Sequence, residues 1–285
     1  MRDATLPPKH IFELYIAIPA SLTLTEHTLL LKTVKVGFIA RALAIYRVNG
    51  IIVYIDRNEA LKELPLIRDI LEYLTIPPYL RKKLVPLKDT LKYAGILPPL
   101  KTPNHPRSKG VSDGEIREGL VVSVKRDVAL VDIGLGKPVK LRNHKVKVGQ
   151  RVIVKIHKKN DEVYCTLTKP DGYWCYTVHT VKSLRDVLKF RKWGLKIATS
   201  KYGTSIVKVK DELRDKLLES KSVLVAFGSP FEGLWEIAKR ENISLDREFH
   251  YILNTIPNQG TETVRTEEAL YATLGVLSII EAENL

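Results

Sequence analysis

What most limits the fold of this chain is a change of hydrophobic period partway along it, and a change back. Over residues 12–74, "FELYIAIPAS" and "IIVYID" are continuous apolar runs, the pattern of strands buried on both faces of a parallel sheet. "TEHTLLLKTVKVGFIARALAIYRV" and "ALKELPLIRDILEYL" place apolar residues at helical spacing, with Pro65 expected to break or kink the start of the second. Strand, helix, strand, helix predicts an α/β sheet. From Gly114 the period falls to two. "LVVSVKRD", "VALVDIGL", "KPVKLRN", "QRVIVKIHK" and "EVYCTLT" predict a small β-barrel of the OB or S1 type. After Pro170 the α/β pattern returns. "WGLKIATS", "KSVLVAFGSP" and "HYILN" read as strands, and "VKDELRDKLLES", "GLWEIAKREN" and "TEEALYATLGVLSIIEAENL" as helices.

A chain of 285 residues has room for about two domains. The expectation is a discontinuous α/β domain over 1–85 and 171–285, a basic linker over 86–109 and a barrel inserted over 110–170. The linker belongs to a stretch, 75–110, that holds seven prolines and reads as connector.

Charge sharpens this division. The net is +14, and segments 1–80, 81–109, 110–170 and 171–285 carry +1, +7, +6 and 0. Crowded like charge repels itself unless a polyanion is the partner, so RNA or DNA is the expected ligand; a solvated surface face is the alternative. Between 110 and 170 Tyr164 is the only aromatic residue, so contacts to the phosphate backbone should outweigh base stacking. "DGYWCYTVH" clusters Tyr173, Trp174 and Tyr176, either to pack a domain seam or to stack on RNA.

Several chemistries are excluded. "GSPFEG" has P-loop glycine spacing but is followed by Leu234-Trp235, not Lys-Ser/Thr. No G-x-G-x-x-G follows the first strand, no G-x-S-x-G occurs, and the seven histidines show no zinc spacing, so no metal is expected. Cys165 and Cys175 read as two reduced thiols, with a disulfide as the alternative. No secretory signal or membrane span is apparent, and the expected location is cytoplasmic.

Two loops remain, "AFGSPFEGL" (226–234) and "LNTIPNQGTETVRTEEA" (253–269), at the C-terminal ends of late strands, where α/β sheets bind ligands. Gly228, Gly233 and Gly260 permit close approach or positive φ, and Thr261, Thr263 and Thr266 supply hydroxyls. Thr266 is the expected cap of the last helix, whose Glu267 and Glu268 suit a neutral or cationic ligand better than a phosphate. An unusually polar turn is the plain alternative.

Three ordered stretches carry a resemblance: "GFIARALAIYRV", "LVAFGSPFEGL" and "TIPNQGTETVRTEEA". They resemble the motifs of SPOUT-class RNA methyltransferases, and the inserted barrel resembles that of an archaeal and eukaryotic subfamily. The resemblance implies a C-terminal trefoil knot, a homodimer, S-adenosylmethionine as methyl donor and RNA as substrate, with ribosomal RNA the expected kind. It implies a cofactor cradle of Phe227, Gly228, Ser229, Gly233, Leu253, Asn254, Ile256, Pro257, Gly260, Thr261, Thr263 and Val264.

Two departures from the related ribose methyltransferases stand out: Pro230 where they have Glu, and Arg265 where they have Asn. Both favour base over ribose methylation, with uridine N3 as the expected atom. Arg41 and Arg265 are the candidates for stabilising charge on the base, and Glu232 or Glu267 for accepting its proton. The plain alternatives are a helix-surface salt bridge for Arg41 and a loop ion pair for Arg265. The competing function is a non-catalytic RNA-binding ribosome-assembly factor that retains the knot.

Overall fold

The computed structural model describes residues 6–106, 110–125, 128–142, 145–159 and 162–283. Arg107–Lys109 of the expected connector, Arg126, Asp127 and Asn143 at the ends of expected strands, and Asn284 and Leu285 of the expected last helix lie outside these residues. In chain order the elements begin with β1 (Glu13–Pro19), α1 (Leu29–Ile45), β2 (Gly50–Tyr54), α2 (Leu64–Thr75) and α3 (Pro78–Leu84). Next come β3 (Ile116–Lys125), β4 (Val128–Asp132), β5 (Val139–Arg142), β6 (Arg151–Lys159) and β7 (Glu162–Leu167). The chain continues with β8 (Thr177–Val181), α4 (Leu184–Lys189), β9 (Leu195–Ser205), α5 (Ile206–Glu219), β10 (Ser222–Ala226), α6 (Leu234–Arg240), α7 (Leu245–Glu248), β11 (Tyr251–Asn254) and α8 (Thr266–Ala282). They form two compact units: Met1–Lys9 with Tyr73–Leu87 and Pro99–Cys175, and His10–Glu72 with Lys88–Pro98 and Tyr176–Leu285.

The larger unit is built on a six-stranded sheet in the order β11-β9-β10-β1-β2-β8, with every adjacent pair parallel. Every residue of β2 and β10 is buried, which explains their unbroken apolar character. The Thr28 side chain caps α1 by accepting from Leu31 N at 3.2 Å. Pro65 sits in the first turn of α2, where a missing N–H costs nothing, so it starts the helix rather than breaking it.

Four elements depart from expectation, among them the four-residue α7 between the expected helix and strand. The edge strand β8 occupies part of the aromatic segment: "TVHTV" is too polar to read as a buried strand, but it pairs with β2 throughout. Short α4 is capped by Ser183, which accepts from Asp186 N at 3.1 Å. The expected connector contains α3, with Pro78 at a first-turn position. The rings of Tyr173 and Tyr176 are each 3% exposed, so they pack the interior and offer no face for stacking on RNA.

In the smaller unit β3-β4-β5-β7-β6 closes into a barrel through antiparallel β3–β6 pairing, the strand order of an OB-type barrel. Its core is aliphatic, including Val121, Val131, Leu141, Val154 and Ile156. A side chain at Gly119 would lie 2.3 Å from Val131 Cγ1, so the close approach of β3 and β4 requires glycine. The Tyr164 ring is stacked on His157, with centroids 4.9 Å apart, and Arg142 Cζ lies 3.9 Å from its centroid. Some cations serve the fold: Arg117, 1% exposed, pairs with Glu115 at 2.7 Å and donates to Ile133 O at 3.2 Å. Both cysteines are free, and burial pushes the Cys165 thiol up to about 12.

Candidate active site

A cavity of about 580 Å³ opens in the larger unit, among the residues that follow β10 and β11. Ligands of parallel α/β sheets bind at this edge, and the volume suits a small-molecule cofactor.

One wall is the turn from β10 to α6. Phe227, 1% exposed, is fixed by donation from its N–H to Ala17 O at 2.9 Å and by the Tyr54 hydroxyl donating to its carbonyl at 2.6 Å. Burial, reinforced by Asp56, holds the Tyr54 phenol well above its usual range, so it remains a donor. Ser229 Oγ accepts from Phe231 N at 3.2 Å and Glu232 N at 3.0 Å, while Ser229 N donates to Glu232 O at 2.8 Å. A Cβ at Gly228 would lie 3.0 Å from Gly233 Cα and from Leu234 N, so a side chain there must push the facing backbone of the turn aside.

A second wall follows β11. Asn254 Oδ1 accepts from Ile256 N at 3.0 Å, and its Nδ2 donates to Lys201 O at 3.0 Å. Thr255 and Thr273 hydroxyls meet at 2.8 Å, tying this loop to α8. Further on, Gln259 Nε2 donates to Thr261 O at 2.8 Å, and Thr261 Oγ1 donates to Thr263 O at 3.0 Å. The positive φ falls on Asn258, at 60°, whereas Gly260 stands in open space. The cap of α8 is Arg265, not Thr266: Arg265 N donates to Glu268 Oε2 at 3.0 Å, and Thr266 is the first helical residue.

The third wall comes from a break in register. Ile252 of β11 pairs with Ala198 of β9, but Leu253 pairs with Thr204, so residues 199–203 leave the ladder and their first four line the cavity. The fourth wall holds Thr25, Glu26 and Lys35. Lys35, 5% exposed, reaches Glu26 Oε1 at 2.7 Å and Glu267 Oε1 at 3.5 Å, and donates to Thr25 Oγ1 at 2.8 Å and Leu22 O at 3.3 Å. The hydrogen bond from Lys35 outweighs burial and holds the Glu26 carboxyl below its usual range.

Of the expected residues, Phe227, Gly228, Ser229, Gly233, Leu253, Asn254, Ile256, Thr263, Val264 and Arg265 line the cavity. Pro257, Gly260 and Thr261 lie in the same loop but outside the lining, and Glu267 stands behind it on Lys35. Arg41 is exposed on α1, away from the lining, where its charge acts on the Tyr271 phenol. Glu232 lines the cavity but pairs with Arg240 and with Arg57, the latter at 3.4 Å. Among the described residues Arg265 makes no ion pair within 4.0 Å, so the alternative reading of it as half of a loop ion pair does not hold. Sequence reasoning missed Glu26, Lys35, residues 199–202, and Trp235, which is 37% exposed. Lys35 had a legible signal: it sits four residues before Ile39 on the buried stripe of α1, where a charge is costly unless paired.

Among the described residues no group of His, Cys, Asp or Glu is placed to hold a metal, and no helix is long and apolar enough to cross a membrane. A family model described as "Putative RNA methyltransferase" matches residues 13–277. An uncharacterized protein of Haloarcula marismortui is 32% identical over 280 residues, covering 93% of this chain and 99% of its own length. Two proteins named 28S rRNA (uridine-N(3))-methyltransferase also match across 93% of this chain. The Drosophila melanogaster protein is 31% identical over 61% of its own length, and the Homo sapiens protein 30% identical over 78%. With its model spanning both the cavity and the barrel, the chain belongs to this family of RNA methyltransferases.

Proposed function

We propose that this chain is a cytoplasmic SPOUT-class enzyme that transfers methyl from S-adenosylmethionine to N3 of a uridine in ribosomal RNA. The observation that carries this reading is the cavity itself, where the two loops singled out from the sequence meet on one ligand-sized space. Two relatives that match across the chain and are named uridine-N3 methyltransferases support the atom and the RNA.

The lining fits the methyl donor. Phe227, Leu253, Ile256, Val264 and Ala269 supply apolar surface for an adenine, and the glycine turn leaves room against the backbone. Glu26 and Glu236 suit a cationic sulfonium. When bound, S-adenosylmethionine supplies an activated methyl group. The protein must then orient the base, exclude water and manage the proton on N3. Arg265, a cation in the lining, is the residue we assign to stabilising negative charge on a uracil carbonyl oxygen. Pro230, also in the lining, leaves no carboxylate at the position that related ribose methyltransferases fill with Glu.

The same reading includes a knot formed by α8 and a homodimer. Leu31, Phe38 and Ile45 recur at heptad spacing on α1 and are 47%, 56% and 47% exposed, and Ile279 of α8 is 63% exposed. Arg41 shares the stripe of Phe38 and Ile45, so in the dimer it belongs to the subunit interface.

The test is transfer of labelled methyl to RNA from cells lacking this protein, with the product nucleoside identified by mass spectrometry. We expect label in 3-methyluridine. Label on a ribose would overturn the argument from Pro230 and Arg265. Binding of both ligands without transfer would establish the assembly-factor reading instead.

A further inference from the structure

We infer that Glu26, clamped by Lys35, makes the site select uracil over cytosine. The inference rests on the uridine N3 reading above and names the residue that enforces it.

Glu26 lines the cavity, with its side chain 18% exposed. Lys35 holds Oε1 at 2.7 Å, and Thr25 Oγ1 donates to the same oxygen at 3.3 Å. Oε2 accepts no hydrogen bond among the described residues. Lys35 cannot turn away to serve a ligand, because its three N–H groups already face Leu22 O, Thr25 Oγ1 and Glu26 Oε1. The clamp therefore presents an ionised acceptor at a fixed place. Arg265 also lines the cavity, and its charge reaches Glu26.

An acceptor beside a donor matches one pyrimidine edge. Uracil offers N3–H, a donor, flanked by two carbonyl oxygens that accept. Glu26 takes the N3–H and Arg265 faces a carbonyl. Cytosine offers a bare N3 lone pair, and a carboxylate against it is two acceptors in opposition. Specificity of this kind comes from the repelled competitor as much as from the favoured ligand. For the favoured base the step balances. The N3–H pair stays on nitrogen and becomes the N3–CH₃ bond. The proton passes to the Glu26 carboxylate and then to water, and the C–S pair leaves with the donor's sulfur.

The experiment first maps the nucleotide that the unmodified protein methylates. Transcripts of the surrounding RNA with U or C at that position are then compared, for equilibrium binding without methyl donor and for methyl transfer. A preference for U of about 100-fold or more is expected, falling below about tenfold in Glu26→Gln, whose amide can donate to cytosine N3. On the U transcript the rate should be flat between about pH 6 and 8, while that of Glu26→Gln rises about tenfold per pH unit because the proton leaves without an acceptor. If the unmodified protein makes 3-methyluridine but Glu26→Gln keeps both the preference and the flat profile, the inference fails and the functional reading stands. If no 3-methyluridine forms on any RNA, both fail together.

Discussion

On the barrel, Lys140, Arg142 and Lys158 are exposed cations, the first two shared loosely with Glu162 at 3.4 and 3.5 Å. At the cavity, Lys35 is 5% exposed and bound on every side. The first arrangement tolerates exchange, because a phosphate backbone responds to the number of cations near it. The second does not, because each partner would be left with a charge in a place that water hardly reaches. Net charge alone pointed to nucleic acid; position within the fold separates the cations that can hold it from those that hold the protein.

The sharpest break in the comparison is at Gly228. A β-branched residue there must push against Gly233 Cα at 3.0 Å, so Gly228→Val should weaken binding of S-adenosylmethionine at least about 100-fold by titration calorimetry, with overpacking costing about 1–3 kcal/mol. Next is Lys35→Met, which strands Glu26 and Glu267. A loss of about 3–5 kcal/mol is expected in urea unfolding, and Lys35→Met with Glu267→Leu should recover part of it. An unchanged midpoint for the single variant would mean that the cluster is solvated like the barrel's surface pairs.

Acid offers a third test. Burial works to raise the Glu281 carboxyl, but His10, at 2.6 Å, and Arg47, at 3.5 Å, outweigh it and hold it below its ordinary 4.5. Glu26 is depressed in the same direction. Groups lowered in the folded state stabilise above their unfolded value, and that stability drains away as pH falls through the folded one. Stability should therefore decline below about pH 4.5, and Glu281→Gln should be less stable at neutral pH with a shallower decline. The smallest effects belong to the barrel. Lys158→Gln should change stability by less than about 0.5 kcal/mol, and if it meets a phosphate it should lower the salt slope of RNA binding by about 0.7. Arg117→Gln, by contrast, should destabilise the barrel by several times that amount, since its guanidinium is buried.

The parallel strands were legible because β2 and β10 are short unbroken apolar runs, and the barrel because its inward residues alternate. Most of two cavity walls was legible because glycine, proline and threonine between two apolar runs have few other uses. The remaining walls were not. The excursion at 199–203 is a shift of pairing between β9 and β11, and periodicity along one strand cannot show its register against another. Lys35 acquires meaning only when α1 brings it both to Glu26 and to Glu267, which lies more than two hundred residues away in sequence. The edge strand β8 escaped because an edge need not be buried on both sides.

The account turns on the cavity being the methyl donor's site. Its most direct test is a crystal structure of the full chain with S-adenosylhomocysteine. We expect the ligand against Gly228, Leu253–Ile256 and Val264, with its sulfur on the side of Glu26 and Arg265. Ligand bound elsewhere, or an empty cavity at saturating ligand, would contradict the account.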